Sequence, residues 1–264
     1  MSQDVAVFSG PTPYIRRAAL DRPWVWLARG WADLQAAPVV SLSYGVGFVV
    51  AAFAISILLL LTESIYLLLP LAAGFLLLAP LLAVGLYETS RRIGSGQTPS
   101  VTAAVGAFRA NPEHMAYMGF VLMLINLFWT RMAMLIFALF FGTPRGTLRD
   151  LIDMTLFSPD SLPFLIVGTL VGFVLAAAVF AISAVSIPML LDRPQTPVWV
   201  AIATSFVAVR TNLKPMALWA ALICAFTGFG MIPMFLGLAV TMPLIGHATW
   251  HCYKDIVDVR DAVN

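Results

Sequence analysis

"VVSLSYGVGFVVAAFAISILLLLTESIYLLLPLAAGFLLLAPLLAVGLY" (Val39–Tyr87) holds a single charged residue, Glu63. Either side of the short "TES" turn, Val39–Leu61 and Ser64–Tyr87 each approach the ~20 residues that cross a ~30 Å hydrocarbon core. Two such runs joined by so short a turn predict an antiparallel helical hairpin in a bilayer. The rest of the chain extends the pattern. Of 264 residues, 61% are apolar and only 11% charged, against roughly 25% charged in an average soluble domain. Further runs follow at Met115–Phe141, Leu162–Leu190, Met216–Gly230 and Met231–Trp250. The expectation is an all-α polytopic membrane protein with six transmembrane helices in three hairpins. Tyr66, Tyr87, Tyr117 and Trp250, near run ends, suit the interfacial aromatic belt.

Each hairpin is preceded by a shorter, mixed stretch that starts at a proline: "RPWVWLARGWADLQAAP", "TPSVTAAVGAFRANP" and "TPVWVAIATSFVAVRTNLKP". Trp24, Leu27, Trp31 and Leu34 recur at helical spacing, as do Trp199, Ile202, Phe206 and Val209; Val101, Ala104, Val105 and Phe108 form the shorter stripe of the second. Proline suits a first helical turn. These stretches read as amphipathic helices lying in the interface, with packing on neighbouring protein as the alternative. "QTP" recurs at Gln97–Pro99 and Gln195–Pro197, and "RAN" at Arg109–Asn111 is echoed by "RTN" at Arg210–Asn212. The reading is a tail (1–21), one membrane domain (22–252, in units 22–90, 97–191 and 195–252) and a second tail (253–264).

Twelve of the fifteen lysines and arginines fall at the N-terminus, after the second and fourth runs, and at the C-terminus. The positive-inside rule therefore places both termini in the cytoplasm and the three amphipathic helices on the cytoplasmic leaflet. There the expected partners are the bilayer, anionic headgroups and a membrane-protein complex. A net charge of +2 without a basic block gives nucleic acid no footing. The first thirty residues lack the apolar core of a signal peptide. Cys224 and Cys252 lie about a membrane thickness apart, too far for a disulfide.

Three stretches, "PLLAVGLYETSRRIGSGQTPS" (Pro80–Ser100), "AVSIPMLLDRP" (Ala184–Pro194) and "PLIGHATWHCYKD" (Pro243–Asp255), are similar to signature segments of bacterial integral membrane proteins grouped as the domain of unknown function 2189 family. The resemblance runs roughly from the first amphipathic helix to the end of the sixth run. It implies a membrane fold but no established activity. Some members carry a cytochrome oxidase subunit label. The catalytic oxidase subunit needs several core histidines, and no such constellation is present here.

Few residues offer chemistry. Arg131 is the one charge deep in a run, ~24 Å from Met115 at 1.5 Å per residue. It reads as an outward-facing site for an anion or lipid headgroup, with Asn126 as a neighbour, or as structural, either clasped to Glu63 or snorkelling to the outer interface; the cost of an unpaired intramembrane charge favours the structural reading. Glu88 precedes Arg91 and Arg92 at spacings that permit local ion pairs, or faces the histidines of the last run. His247 and His251, four residues apart, share one helix face. Cys252 lies about 100° around the helix from His251 and Asp255 about 40°, so the last run alone offers at most three convergent donors and Glu88 would have to supply a fourth; the expectation is no metal or cofactor and a helix-capping role. There is no phosphate loop, nucleophile elbow, HExxH or CxxC. The sequence thus points to a non-enzymatic inner-membrane protein that organises or senses the membrane or assists a complex. The alternatives are a transporter for a small or lipidic solute and, below it, a haem- or metal-binding oxidase-associated subunit.

Overall fold

The computed structural model describes residues 14–142 and 148–258. The parts of the terminal tails at 1–13 and 259–264, and the loop residues 143–147, lie outside it. The described chain is almost wholly helical. The one exception is a short antiparallel pair, β1 (Tyr14–Ile15) with β2 (Val257–Asp258). The stretches read as two separate tails thus meet each other.

Three times a short helix meets a long one at a sharp corner. Helix α1 (Arg22–Ala36) turns at Ala37 into α2 (Pro38–Leu61). Helix α5 (Val101–Gly106) and a 3₁₀ turn reach Asn111, after which α6 (Pro112–Phe141) begins. The corner residues have φ/ψ of −132°/58° and −146°/70°. Each precedes a proline, whose ring pushes the residue before it out of the helical region, while the proline itself suits a first helical turn. The third corner, Asn212 at −118°/40°, joins α10 (Val198–Thr211) to α11 (Leu213–Met231).

The second long helix of each group behaves differently. Helix α3 (Leu68–Leu82) is interrupted at Ala83 before α4 (Val84–Gly94), and α8 (Ser161–Ser183) at Ala184–Val185 before α9 (Ser186–Asp192). The same dipeptide, Ala-Val, marks both joints. Pro188 falls in the first turn of α9, where its missing N–H costs nothing.

Among the described residues, five stretches are long and apolar enough to cross a bilayer: Pro38–Leu61, Ile65–Gly94, Pro112–Phe141, Ser161–Asp192 and Leu213–Met231. The expected sixth, Met231–Trp250, is shifted. Met231 closes α11, residues 232–237 are turns, and α12 runs Leu238–Ile256, past the expected end of the membrane domain at 252. Pro233 and Gly237 favour the turn, and the polar residues from His247 onward dilute the apolar character of α12. Between the third and fourth apolar runs stands a further helix, α7 (Leu148–Phe157), which the sequence reading does not anticipate.

The core sits at one end. Every residue of Val84–Ser90, Ser186–Leu191 and Met242–Trp250 is buried. Apart from Met242, these lie within the three stretches that carry the family resemblance, and the helices that hold them pack together. Around them α1 packs on α12, α5 on α4, and α10 on α8 and α9. Each short helix therefore leans on the second long helix of another group, and the three leanings close a ring. Elsewhere the long apolar helices leave most of their surface uncovered, as helices bathed in lipid do.

Candidate functional site

Helix α12 carries a ladder of polar groups through this core. His247, fully buried, has Ser41 Oγ of α2 2.9 Å from Nε2 and Ser90 Oγ of α4 2.8 Å from Nδ1. A neutral imidazole has one donor and one acceptor nitrogen, and both are taken. One turn on, His251 Nε2 lies 2.8 Å from Asp33 Oδ2 of α1. Tyr253 donates to Asp192 of α9 at 2.8 Å, and Lys254 Nζ lies 3.2 Å from the same oxygen. Asp255 accepts from Arg22 at 2.6 and 2.7 Å and from the Trp26 indole at 2.9 Å. Burial pushes the Asp255 carboxyl up, but the bonds from Arg22 and Trp26 outweigh it and hold the group below its ordinary value.

Small residues let these partners approach. A Cβ on Gly30 of α1 would lie 2.7 Å from Ala248 N and 2.9 Å from the Leu244 carbonyl, and one on Gly45 of α2 would collide with the Ala239 backbone. Glycine at both places lets the helix backbones touch.

The two repeated asparagines have matching uses. Asn111, buried, donates from Nδ2 to the Thr196 carbonyl ahead of α10. Asn212, also buried, donates to the Arg16 carbonyl and accepts from Ala18 N, ahead of α1. Each fastens the segment that leads into another short helix. The first corner has Ala37 instead; there Arg92 reaches the Thr98 carbonyl ahead of α5 at 3.3 Å.

The residues singled out from sequence separate into three places. His247 and His251 are tied to side chains of α1, α2 and α4 rather than to the last carbonyls of α12, because nine residues of helix follow His247. Glu88 does not meet the histidines. It is spent on Arg91 and Arg92 of its own helix, both at 2.7 Å, and its neighbour Ser90 faces His247. Arg131 and Glu63 are both exposed and form no ion pair with each other. Glu63 occupies a turn at φ 54°. Arg131 shares the exposed stripe of α6 with Leu124, Leu127, Phe128 and Leu135. Asn126 points elsewhere: its Oδ1 is buried without a partner against Gly74 of α3. The expected polar patch is therefore split across two faces of α6.

Ser41, Ser90 and Asp33 went unread in the sequence. Asp33 carried a signal, a carboxylate on the same helix face as Trp26 and Gly30. Ser41 carried another, standing one turn from Gly45 in a small-xxx-small pattern. Among the described residues, no group of three or more His, Cys, Asp or Glu side chains is gathered as a metal ion would require. Cys224 and Cys252 are free thiols.

Residues 68–192 match the family model described as "Predicted integral membrane protein (DUF2189)". The match takes in α3 to α9 and stops short of α12, so it is narrower than the resemblance read from the quoted stretches. No curated protein and no solved structure matches the chain. The chain is a multi-pass integral membrane protein of a kind to which no activity is assigned.

Proposed function

We propose that this is a non-enzymatic inner-membrane protein that organises or senses the bilayer, or assists a membrane complex, through three interfacial helices on its cytoplasmic face. The observation that carries the reading is the outward aromatic side of the short helices. Trp24 and Trp31 of α1 are 55% and 44% exposed, and Trp199 and Phe206 of α10 are 60% and 50% exposed. The opposite faces, Trp26, Leu27 and Leu34 on α1 and Ala201, Thr204, Ser205 and Ala208 on α10, are buried against protein. Val101 and Val105 stand outward on α5 in the same way. An amphipathic helix normally buries its large aromatics. Here, Trp26 apart, the large aromatics face out at the ring of helix ends, where the headgroup zone would receive them.

The proposed topology keeps α12 as a sixth crossing, with both termini and α1, α5 and α10 in the cytoplasm. Cysteine labelling of Gln97→Cys from the cytoplasm and Phe157→Cys from the periplasm is the expected pattern, and the reverse would overturn it. For the interfacial helices, the test is tryptophan quenching in vesicles of brominated lipid. Bromine near the headgroup should quench more than bromine at the chain ends, and the excess should vanish in a Trp24→Ser, Trp31→Ser, Trp199→Ser variant. Equal quenching at both depths would reject interfacial seating. A permease for a lipidic solute is the second reading, favoured by the recurring helix arrangement. Against it, the polar ladder on α12 is bonded to itself and leaves no set of convergent groups for a cargo.

A further inference from the structure

Between α3, α6 and α8, under α7, lies a cavity of about 480 Å³. Its size falls within the roughly 300–1,000 Å³ of ligand sites. Its walls are almost entirely hydrocarbon, with Leu77, Ile136, Phe137, Leu151 and Phe164 among them. The polar groups on the wall are few, and two are already used. The Trp129 indole donates to the Pro70 carbonyl at 2.8 Å, and the Thr155 hydroxyl to the Leu151 carbonyl at 2.7 Å. With so little polar lining the space is a poor site for water, since apolar cavities stay dry. Left empty, its walls forfeit dispersion contacts on every side.

We infer that this cavity is a binding site for one long hydrocarbon chain, the acyl group of a membrane lipid. The entrance argues for the source. Leu69 of α3, Leu156 of α7 and Leu165 of α8 all line the cavity and are also exposed. Leu69 and Leu165 open it beside α3 and α8, which lie in stretches long and apolar enough to cross the bilayer, so lipid tails would be the medium at the mouth. Helix α7 closes the site with Leu151 and Thr155 buried inward, while Phe157 stays exposed at its end. The inference names a ligand class for the lipid-directed role proposed above and rests on that reading.

Gly168 provides the test. It lines the cavity on α8, and a Cβ placed there meets no atom within 4 Å, so Gly168→Phe fills the space without a backbone clash. Ala133→Phe fills it from α6. Each protein is purified in a mild detergent, checked for monodispersity and thermal unfolding, and weighed intact by native mass spectrometry. The natural chain should retain one acyl-bearing molecule. Occupancy should fall about tenfold in a filled variant that unfolds at an unchanged or higher temperature, a difference of ~1.4 kcal/mol in binding. The retained mass separates an intact phospholipid from a free fatty acid, either of which supplies the chain. No retained lipid in the natural chain, or equal retention in a folded filled variant, would overturn the site. Headgroup-depth quenching of Trp24, Trp31 and Trp199 is untouched by that outcome, so the two readings fail separately.

Discussion

The two ends of the long helices are built on opposite principles. Where α4, α9 and α12 converge, backbones touch at glycines, and a buried imidazole, two serines and several charged groups are bonded to one another. Where α3, α6 and α8 spread apart, there is a 480 Å³ apolar space covered by a ten-residue helix. Interiors are close-packed and barely compressible, so the first end is a fixed base. The second end has room to change volume as its contents change. A protein that responds to lipid needs both, a reference that does not move and a region that does.

Glycine substitutions should expose the contrast most sharply. Gly45→Leu at the packed end drives a branched side chain into the Ala239 backbone, and Gly30→Leu does the same against Leu244 and Ala248. Neither helix can retreat without losing the polar ladder as well. The expected loss is ~5 kcal/mol or more, the lower bound of a domain's whole stability, read as failure to elute as a single species. Gly168→Ala at the loose end should cost nothing and gain up to ~1 kcal/mol from helix propensity. Comparable losses at both ends would break the comparison.

His247→Ala comes next. It removes the only partner found for the Ser41 side chain and for the Ser90 side chain among the described residues, at a site with no solvent. Two buried hydroxyls without partners and a small void suggest a loss of about 2–4 kcal/mol. Adding Ser41→Ala and Ser90→Ala should recover part of it, because the hydroxyls no longer need satisfying. That non-additivity, measured by thermal unfolding in detergent, is the signature of a shared network. Strict additivity would mean that His247 acts by volume alone.

Long runs such as Val39–Leu61 made the helical membrane fold legible, because hydrocarbon demands length and apolarity from contiguous residues. The corners were not anticipated, although Pro38 and Pro112 follow two of them and Asn111 and Asn212, read only as a repeat, are two of the corner residues. What stayed hidden depends on which face of a helix meets which neighbour. Trp24 and Leu27 shared one stripe in the sequence, yet Leu27 turns to α12 and Trp24 to the outside. Asn126 and Arg131 are close in sequence but far around the helix. The pairing of His247 with Ser41 and Ser90 joins residues 206 and 157 positions apart, and serine in an apolar run carries little local signal. Helix α7 was missed because ten residues are too few to form a convincing period.

Acid should act mainly at the fixed base, and weakly. Asp255 has its carboxyl held down by Arg22 and Trp26, beyond the apolar part of α12. A carboxyl with a lowered folded value adds stability that is complete above the ordinary value of ~3.9 and drains away as pH falls through the folded one. The pair is partly exposed, so its share is at most about 1 kcal/mol. Unfolding temperature should therefore be level from neutral pH to near 5 and fall below 4. Asp255→Asn should lower the plateau and flatten the acid limb. An unaltered acid limb in that variant would assign the effect to other carboxylates.

The smallest effect expected is a null coupling, and it tests the loose end. Sequence reasoning favours a structural role for Arg131, a clasp to Glu63 or a side chain snorkelling to the interface, since an unpaired intramembrane charge is costly. In the structure both side chains are exposed and no ion pair joins them. Arg131 stands in the lipid-facing stripe of α6, from which a long side chain can carry its guanidinium toward an interface. Arg131→Ala and Glu63→Ala should then add to within ~0.5 kcal/mol in the double variant, as unconnected sites do. The cycle for Arg22→Ala with Asp255→Ala, across a 2.6 Å ion pair at the fixed base, should instead return a positive coupling. A coupling at Arg131 and Glu63 as large as that one would mean that α6 and the turn between α2 and α3 draw together in the membrane, and the region would no longer count as loose.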